Sequence, residues 1–251
     1  MKRARIFHAG AAVWTEVAAD ETELALPDGT RIATATAHWL PPVTPGATIF
    51  ALGLNYADHR KELGFAPSQA KPLVFLKGPH SLVGHDGETP RPADADQMHP
   101  ECELVAIIGK PARRVSEQAA LDHVAGYSVA NDYAIREYLE NYYRPNARVK
   151  NRDRTTPIGP WIVDAADIAD PQALRLQTRV NGVIVQDGTT ADMILGVAGL
   201  IAYLSSFMTL LPGDMILTGT PHGVHFVQPG DRVESSIAGV GTLINHLRAA
   251  R

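Results

Sequence analysis

Residues 101–108, Glu-Cys-Glu-Leu-Val-Ala-Ile-Ile, are the stretch of sequence that is most informative about the fold. The run from Glu103 to Ile108 is too apolar for a wet surface strand, so it predicts a strand that enters the core. Side chains alternate between the two faces of a strand, which places Glu101 and Glu103 on one face and Cys102 on the other. Two neighbouring carboxylates on a buried strand repel each other, so a positive group is expected between them.

A divalent metal ion is the positive group that best fits these two carboxylates. Residues 127–132 predict a second strand, whose end places Asp132 where it can supply a third oxygen ligand. Carboxylate oxygens favour Mg²⁺ or Mn²⁺ over zinc. His99 shares the face of the glutamates and is expected to support the ligands rather than to bind the ion. The alternative is a pair of surface glutamates on an edge strand, which Pro100 would permit.

Composition limits the class of protein. The 251 residues, 45% of them hydrophobic, suffice for one large domain or for one large and one small domain. The 23 basic and 27 acidic residues are interspersed and give a net charge of −4, with no basic stripe, so no nucleic acid partner is expected. A single cysteine excludes an internal disulfide framework and fits a reducing cytoplasm.

No segment is expected to enter a membrane or to direct secretion. The first residues carry positive charge, but His8 and Glu16 interrupt what would be the apolar part of a secretory signal. The longest apolar stretch, 193–211, contains three hydroxyl side chains and is periodic, which predicts a buried helix rather than a membrane span.

Turn signals divide the chain into a small strand-rich unit, residues 1–45, and a larger domain, residues 46–251. Eighteen prolines and 21 glycines indicate many turns, hence an α+β fold that is mainly β. Asp28-Gly29 predicts a hairpin in the small unit. Pro41-Pro42 and Pro45-Gly46 mark the boundary. The small unit is expected to cover a sheet edge or to join a dimer interface.

Local patterns predict the elements of the larger domain. Asn55 is expected to cap a short helix that stops at Gly64, and Ser116 to cap a helix that ends before Gly126. Asn181-Gly182 predicts a type I′ hairpin turn. The remaining predictions are strands at 48–53, 72–77, 127–132, 174–180, 183–186, 215–218 and 232–237, and helices at 133–143 and 194–208.

Three further groups have a chemical interpretation and an ordinary structural one. His59 and Glu62 share a helix face, so Glu62 could orient the imidazole as a base, or the two could form a plain contact on a solvated helix. Lys150 lies in a charged loop and, by itself, is typical of a surface lysine. Residues 218–221, Thr-Gly-Thr-Pro, end a buried strand where glycine lets the backbone approach a ligand, although a plain turn is equally compatible.

Eight short motifs, taken together, resemble the fumarylacetoacetate hydrolase family. Their order and spacing match over residues 46–247, and no single motif would suffice. They are Gly53-Leu-Asn-Tyr-Ala-Asp-His59, Phe75-Leu-Lys77, His99-Pro-Glu-Cys-Glu-Leu104, Asn131-Asp132, Lys150-Asn-Arg-Asp153, Pro157-Ile-Gly-Pro160, Asn181-Gly182 and Thr218-Gly-Thr-Pro-His-Gly223. Within the family, residues 131–146 look most like the isomerase/decarboxylase branch of homoprotocatechuate degradation.

The resemblance implies a fold, an assembly and a role for each candidate residue. It implies a mixed β-roll or sandwich core and a homodimer. The implied ligands of Mg²⁺ or Mn²⁺ are Glu101, Glu103 and Asp132. The implied catalytic residues are Lys150, beside metal and substrate, and the dyad of His59 and Glu62 on a short helix that closes over the substrate. The implied contacts to substrate oxygens come from Lys77, Arg136 and Thr220.

The implied activity is decarboxylation, isomerisation or both, on an unsaturated 2-oxo di- or tricarboxylate of aromatic catabolism. The cation would act as a Lewis acid on the keto oxygen, and Lys150 would add positive charge where the enolate forms. Because His59 and Glu62 are both present, hydrolysis of an acylpyruvate-type C–C bond stays an alternative, as does oxaloacetate decarboxylation. A non-catalytic relative is the more distant alternative.

Overall fold

A computed structural model describes residues 1–64, 73–139 and 147–250. Strands predominate over helices among these residues, as the sequence predicts. The strands are β1 (Lys2–His8), β2 (Ala11–Val17), β3 (Glu23–Ala25), β4 (Arg31–Ala33), β5 (Trp39–Leu40), β6 (Ile49–Gly53), β7 (Leu73–Leu76), β8 (Leu82–Val83), β9 (Gly87–Arg91), β10 (Met98–His99), β11 (Cys102–Ile108), β12 (Val124–Asn131), β13 (Ala134–Ile135), β14 (Thr156–Asp164), β15 (Arg175–Val180), β16 (Val183–Thr189), β17 (Met215–Leu217), β18 (Arg232–Ile237) and β19 (Gly241–Ala249).

The helices of the described residues are short. The α-helices are α1 (Ala57–Glu62), α2 (Glu117–Ala120), α3 (Ala147–Lys150) and α4 (Val197–Phe207). The 3-10 helices are Thr34–Thr36, Pro79–Ser81, Leu121–His123, Arg136–Tyr138, Ala165–Asp167 and Thr190–Asp192. No helix in this part of the chain has the length and apolar character needed to cross a membrane.

Two mixed sheets and one two-stranded sheet make up the fold. The large sheet has the order β4-β3-β2-β1-β14-β12-β11-β17-β6-β7, with β5 paired to β1 and β8 paired to β14. The second sheet has the order β16-β15-β18-β19-β9, and β10 pairs with β13. The pairs β6/β17, β8/β14 and β9/β19 are parallel, whereas the other strand pairs are antiparallel.

Strand β11 lies inside the large sheet, between β12 and β17, and all seven of its residues are buried. Leu104 and Ala106 face the main core, which also contains residues of α4 and of the five-stranded sheet. Val105 and Ile107 face a second cluster on the opposite side. The prediction of a strand that enters the core is confirmed, and the alternative of an edge strand with surface glutamates is wrong.

The N-terminal strands continue the large sheet. β1 pairs antiparallel with β14, with Lys2 opposite Val163 and Ala4 opposite Trp161. The predicted hairpin around Asp28 is confirmed by the pairing of β3 with β4. The division of the chain at residue 45 stays a prediction.

The hairpin of β15 and β16 is confirmed in position and in turn type. Asn181 and Gly182 have φ angles of 50° and 83°, both positive as a type I′ turn requires. The predicted helix 194–208 is observed as α4, which starts three residues later. Ile194 precedes the helix, and its amide donates to the carbonyl of Asn55 instead of to a helical turn.

The helix predicted over 133–143 is wrong for residues 133–139, and its end at 140–143 lies outside the described residues. β13 and a 3-10 turn, Arg136–Tyr138, stand in its place. Tyr133 and Ile135 are fully buried in a core cluster of their own, and β13 pairs with β10. Packing therefore overrides the local preference for helix. The same helical pattern places Glu140 at pairing distance from Arg136, but Glu140 lies outside the described residues.

Two capping predictions differ from the structure. Asn55 does not cap α1: Tyr56 holds the N-cap position, and the Asn55 side chain binds the backbone of Leu195 and Thr218 instead. The end of α1 near Gly64 is confirmed by the bond from its amide to the carbonyl of Lys61.

The helix capped by Ser116 is shorter than predicted. The cap itself is confirmed, since the Ser116 hydroxyl accepts from the amide of Ala119. The α-helical part, however, ends at Ala120, and β12 has begun by Val124. Gly126 lies within β12, where a Cβ would come within 2.4 Å of the carbonyl oxygen of Val163. That glycine permits close strand packing rather than a helix stop.

Candidate active site

Three carboxylates converge where the β11–β12 pair ends. Glu103 lies on β11, Glu101 just before it, and Asp132 directly after β12. The relative exposures of these residues are 1%, 6% and 0%. One carboxylate oxygen from each lies within 4.8 Å of the others. We call these three residues the acidic trio.

The backbone of the two strands sets the geometry of the acidic trio. Cys102 pairs with Asn131, so the residues on either side of this pair are neighbours. The amide of Asp132 donates to the carbonyl of Glu101 at 2.9 Å. The side chain of Asn131 accepts from the amide of Glu101, also at 2.9 Å. These bonds extend the pairing past the formal strand ends and hold Glu101 beside Asp132.

Two buried lysines contact the acidic trio. Lys150, at the end of α3, places its Nζ 2.5 Å from Oε2 of Glu101 and 3.0 Å from Oδ2 of Asp132. Lys77, which follows β7, places its Nζ 2.6 Å from Oδ1 of Asp132. The surface interpretation of Lys150 is wrong, because its side chain is only 7% exposed.

The two lysines differ in the direction of their pKa shifts. Burial lowers the pKa of Lys77, and the attraction of Asp132 offsets this only in part. Burial also opposes the charge on Lys150, but Asp132 and Glu101 together outweigh it and raise the pKa of this lysine. Lys150 is therefore a permanent cation at neutral pH.

Arg136 and His99 form the other side of the site. Nε of Arg136 donates to Nε2 of His99 at 2.9 Å, and Nη2 donates to Oε1 of Glu101 at 3.2 Å. Burial lowers the pKa of His99 to about 3, so its ring is neutral and accepts from the arginine. His99 thus orients Arg136 and, through it, Glu101, in agreement with its predicted supporting role.

The carboxylates of the acidic trio are in different electrostatic environments. Burial, followed by the charges of Asp132 and Glu101, raises the pKa of Glu103 well above its usual range. Burial also acts on Glu101, but the charges of Lys150 and Arg136 prevail and lower its pKa. The cluster therefore lacks positive charge on the side of Glu103.

His59 and Glu62 contact each other on α1, as predicted. Nδ1 of His59 lies 3.1 Å from Oε2 of Glu62, and the histidine side chain is 5% exposed. The carboxylate of Glu62 also accepts from the amides of Gly223 and Val224. Burial raises the pKa of Glu62, but these amides and His59 outweigh it and lower the pKa. An ionised Glu62 is the partner that orients an imidazole for proton transfer.

The segment that follows β17 closes the site from the side of Glu103. The amide of Gly219 donates to Oε2 of Glu103 at 2.7 Å. Gly219 has a φ of 90°, and a Cβ there would come within 2.9 Å of Cβ of Asn55, so glycine suits both conformation and space. Thr220 is buried, and its hydroxyl accepts from Nε2 of Gln186 at 2.9 Å.

The comparison with known protein families agrees with this arrangement. The family model described as fumarylacetoacetate (FAA) hydrolase C-terminal matches residues 48–248. The chain belongs to the fumarylacetoacetate hydrolase family. The resemblance inferred from the eight short motifs is confirmed.

Among relatives in this family, one of the most similar is a bifunctional enzyme. Over 206 residues the chain is 58% identical to the 4-hydroxyphenylacetate degradation bifunctional isomerase/decarboxylase of Salmonella dublin. That alignment covers 82% of this chain and 48% of the relative, so the chain spans about half the relative's length.

Two solved structures of the family show the same fold. The 5-carboxymethyl-2-hydroxymuconate delta-isomerase from Mycobacterium smegmatis is 33% identical, with a TM-score of 0.87 over 100% of both chains. The fumarylpyruvate hydrolase from Pseudomonas aeruginosa, solved with Mn²⁺ and pyruvate, is 33% identical, with a TM-score of 0.77 over 84% of this chain and 91% of that one.

The acidic trio fits the divalent metal ion on which fumarylacetoacetate hydrolase family enzymes depend. All of its donor atoms are carboxylate oxygens, which suit hard cations such as Mg²⁺ or Mn²⁺. Oδ2 of Asp132 is buried and has no hydrogen-bond partner among the described residues, although Lys150 Nζ is 3.0 Å away. A metal ion held by the acidic trio would supply a partner for this buried oxygen.

Two functional residues were missed from the sequence. Gln186 orients Thr220 and also accepts from the amide of Cys102, so it links β16 to the end of β11 where the acidic trio lies. Asn131 was quoted only as part of a motif, whereas its side chain holds the backbone of Glu101. The sequence of β16 gives no signal for Gln186, because its apolar neighbours Val183 and Ile184 are themselves exposed.

Proposed function

We propose that the chain catalyses decarboxylation or isomerisation, or both, of an unsaturated 2-oxo di- or tricarboxylate of aromatic catabolism, with Mg²⁺ or Mn²⁺ as cofactor. The observation that carries this proposal is the convergence of the acidic trio with Lys150 at one buried position. The identity with a bifunctional isomerase/decarboxylase supports the reaction class.

The site suits a substrate that carries a keto group next to a carboxylate. When bound, the cation would supply Lewis-acid stabilisation of the negative charge that develops on the keto oxygen. The Lys150 ammonium, between Glu101 and Asp132, adds a second positive charge at the same place. Because Lys150 is buried, its charge is screened little by water and acts strongly on the substrate.

Decarboxylation and isomerisation can share one site because they share one intermediate. In 5-oxopent-3-ene-1,2,5-tricarboxylate, the departing carboxylate is on the carbon next to a C=C bond that is conjugated with the ketone, so the electron pair of the breaking C–C bond can delocalise onto the keto oxygen. Loss of CO₂ leaves its electron pair in a dienolate, and protonation at carbon then gives the isomerised 2-oxo-enoate. The first step needs no general base, so we assign His59 to the proton transfer of the second step.

Arg136 and Thr220 are the proposed contacts to substrate oxygens. The Arg136 side chain is 20% exposed beside Glu101, where its charge can attract a substrate carboxylate. The Thr220 hydroxyl accepts from Gln186, which leaves its own proton available for donation to the substrate. Assembly of the chain as a homodimer and its location in the cytoplasm are further predictions from the resemblance.

Hydrolysis of an acylpyruvate is the second candidate function. It is favoured by the contact between His59 and Glu62, because an oriented imidazole could activate water against an acyl carbon. The structural likeness to a fumarylpyruvate hydrolase supports the same candidate. Both reactions release an enolate, so the same charges would stabilise both.

A substrate panel tests the proposed function directly. We expect purified protein to release CO₂ from the tricarboxylate or to isomerise its product in the presence of Mg²⁺ or Mn²⁺, and to lose activity with a chelator. Acylpyruvates and oxaloacetate are measured in parallel by absorbance of the enol. Faster turnover of an acylpyruvate would favour hydrolysis as the function. No turnover of any substrate would refute both candidate functions.

Substitution of His59 separates the two chemical steps. We expect His59→Ala to slow ketonisation by roughly 10²- to 10⁴-fold, the usual contribution of a general acid or base, while the rate of CO₂ release falls much less. Stopped-flow absorbance for the enol and a coupled assay for CO₂ measure the two rates. Equal losses in both would show that α1 acts by covering the substrate rather than by transferring a proton.

A further inference from the structure

Two segments next to the active site bind each other's backbone. Lys77 lies between Leu76 and Gly78, and its Nζ donates to the carbonyl of Lys150. Asn151 follows Lys150. Its Nδ2 donates to the carbonyl of Leu76 at 2.8 Å, and its Oδ1 accepts from the amide of Gly78 at 2.6 Å. The Asn151 side chain therefore holds the backbone on both sides of Lys77. The Lys77 side chain holds the backbone carbonyl of Lys150, the residue directly before Asn151.

Helix α3 depends on such contacts for its position. It has four residues, Ala147–Lys150, and a helix this short has no stability of its own in water. Val149 is buried against the core cluster that contains Tyr138, which anchors one face. The carbonyl of Asn151 also contacts Nε2 of His80 at 2.8 Å. The contacts at the end of α3 thus hold the Lys150 backbone in the position from which its side chain reaches Glu101 and Asp132.

Lys77 is engaged with the protein rather than open to a ligand. Its side chain is 0% exposed, and its two hydrogen bonds go to Oδ1 of Asp132 and to the carbonyl of Lys150. Lys77 therefore connects the Asp132 carboxylate of the acidic trio with the backbone of Lys150. This arrangement differs from the substrate contact that the family resemblance implies for Lys77.

We propose that Lys77 and Asn151 form a reciprocal clamp that positions the Lys150 ammonium against Glu101 and Asp132. Both are positioning residues, because they act through Lys150 and not on the substrate. The inference rests on the proposed function only for the charge that Lys150 supplies to the reaction. A small displacement of a charge that must meet a developing anion costs rate rather than substrate affinity.

A double-mutant cycle tests whether Asn151 acts through Lys150. We expect Asn151→Ala to lower kcat roughly 10- to 100-fold with KM nearly unchanged, as misplacement by about 1 Å does. In a Lys150→Met background the same substitution should change kcat no further, since the group it positions is gone. Equal losses of kcat in the two backgrounds, or a rise in KM alone, would overturn the clamp.

Asn181→Ala is the matched control. The Asn181 side chain also makes two hydrogen bonds, to Asp231 and to the amide of Arg232, but in a hairpin of the five-stranded sheet. We expect the Asn181→Ala substitution to lower the midpoint of thermal unfolding without a loss of kcat. If Asn151→Ala does not fold, Asn151→Asp decides the question, because it keeps the acceptor for Gly78 and should give an intermediate kcat.

A second measurement is independent of turnover. Lys150 is 7% exposed, so limiting acetic anhydride should label it slowly in the wild type, with the exposed Lys110 as internal standard in mass spectrometry. We expect Asn151→Ala to raise the labelling of Lys150 several-fold and Asn181→Ala to leave it unchanged. Unchanged labelling in folded Asn151→Ala would overturn the clamp even if no substrate in the panel is turned over. A wild type that is inactive but shows the labelling difference would refute only the proposed function.

Discussion

Glu103→Gln should abolish metal-dependent turnover and, with it, the stabilisation of the protein by Mg²⁺ or Mn²⁺. Glutamine has nearly the same size as glutamate, and its amide oxygen can still accept from the amide of Gly219. The substitution therefore removes one charged ligand without opening a cavity. Lewis-acid stabilisation is worth several kcal/mol, and each 1.36 kcal/mol is a factor of ten, so we expect a loss of at least about a thousandfold.

The metal response of thermal unfolding is the second readout for Glu103. At free metal about a hundredfold above its dissociation constant, binding to the folded state alone adds about 2.7 kcal/mol to the free energy of unfolding. Glu103→Gln should lose this increment but remain at least as stable as the wild type in chelator, because burial and two neighbouring carboxylates already disfavour the Glu103 charge.

Glu88→Gln is the control for this prediction. Glu88 is 62% exposed and pairs with Arg248 at the surface, so its loss should leave both turnover and the metal response intact. Full activity of Glu103→Gln in chelator would contradict the metal assignment. A wild type whose unfolding is unaffected by either cation would contradict it as well.

The centre of the site could be predicted because it follows from strand geometry alone. Alternation along β11 places Glu101 and Glu103 on one face whatever the rest of the chain does. Asp132 lies next to these two glutamates because β12 is the antiparallel neighbour of β11, so the end of β12 lies beside the start of β11. Local sequence was therefore sufficient for the acidic trio, whose side chains lie on or next to two paired strands.

Side chains whose position depends on packing could not be predicted in this way. Ala134 and Ile135 lie within the predicted helix, yet their burial and their pairing with β10 make them a strand. The inward direction of Gln186 follows from a register shift between Thr178 and Arg179, which no pattern in β16 reveals. Lys150 resembles a surface lysine in its charged loop, because the partners of its ammonium group, Glu101 and Asp132, lie 49 and 18 residues away in the sequence.

Lys150→Met is expected to lower the rate of CO₂ release while metal binding is retained. Methionine approximates the length of lysine but carries no charge, so the substitution removes the second cation and little volume. Loss of one preorganised donor at a developing oxyanion typically costs about 10²- to 10³-fold in kcat, and we expect a loss of this size. Arg136 still contacts Glu101, so this carboxylate keeps a positive partner.

The comparison of Lys150→Met with Glu103→Gln makes this prediction specific. Removing a cation beside the acidic trio lowers the repulsion that a bound metal ion meets, so Mg²⁺ and Mn²⁺ should stabilise Lys150→Met at least as much as the wild type. Single-turnover CO₂ release and thermal unfolding with and without metal measure the two effects. Lys150→Arg restores the charge with a different shape and should recover only part of the rate. An unchanged rate in Lys150→Met would remove Lys150 from the chemistry, and a lost metal response would assign it to the metal site instead.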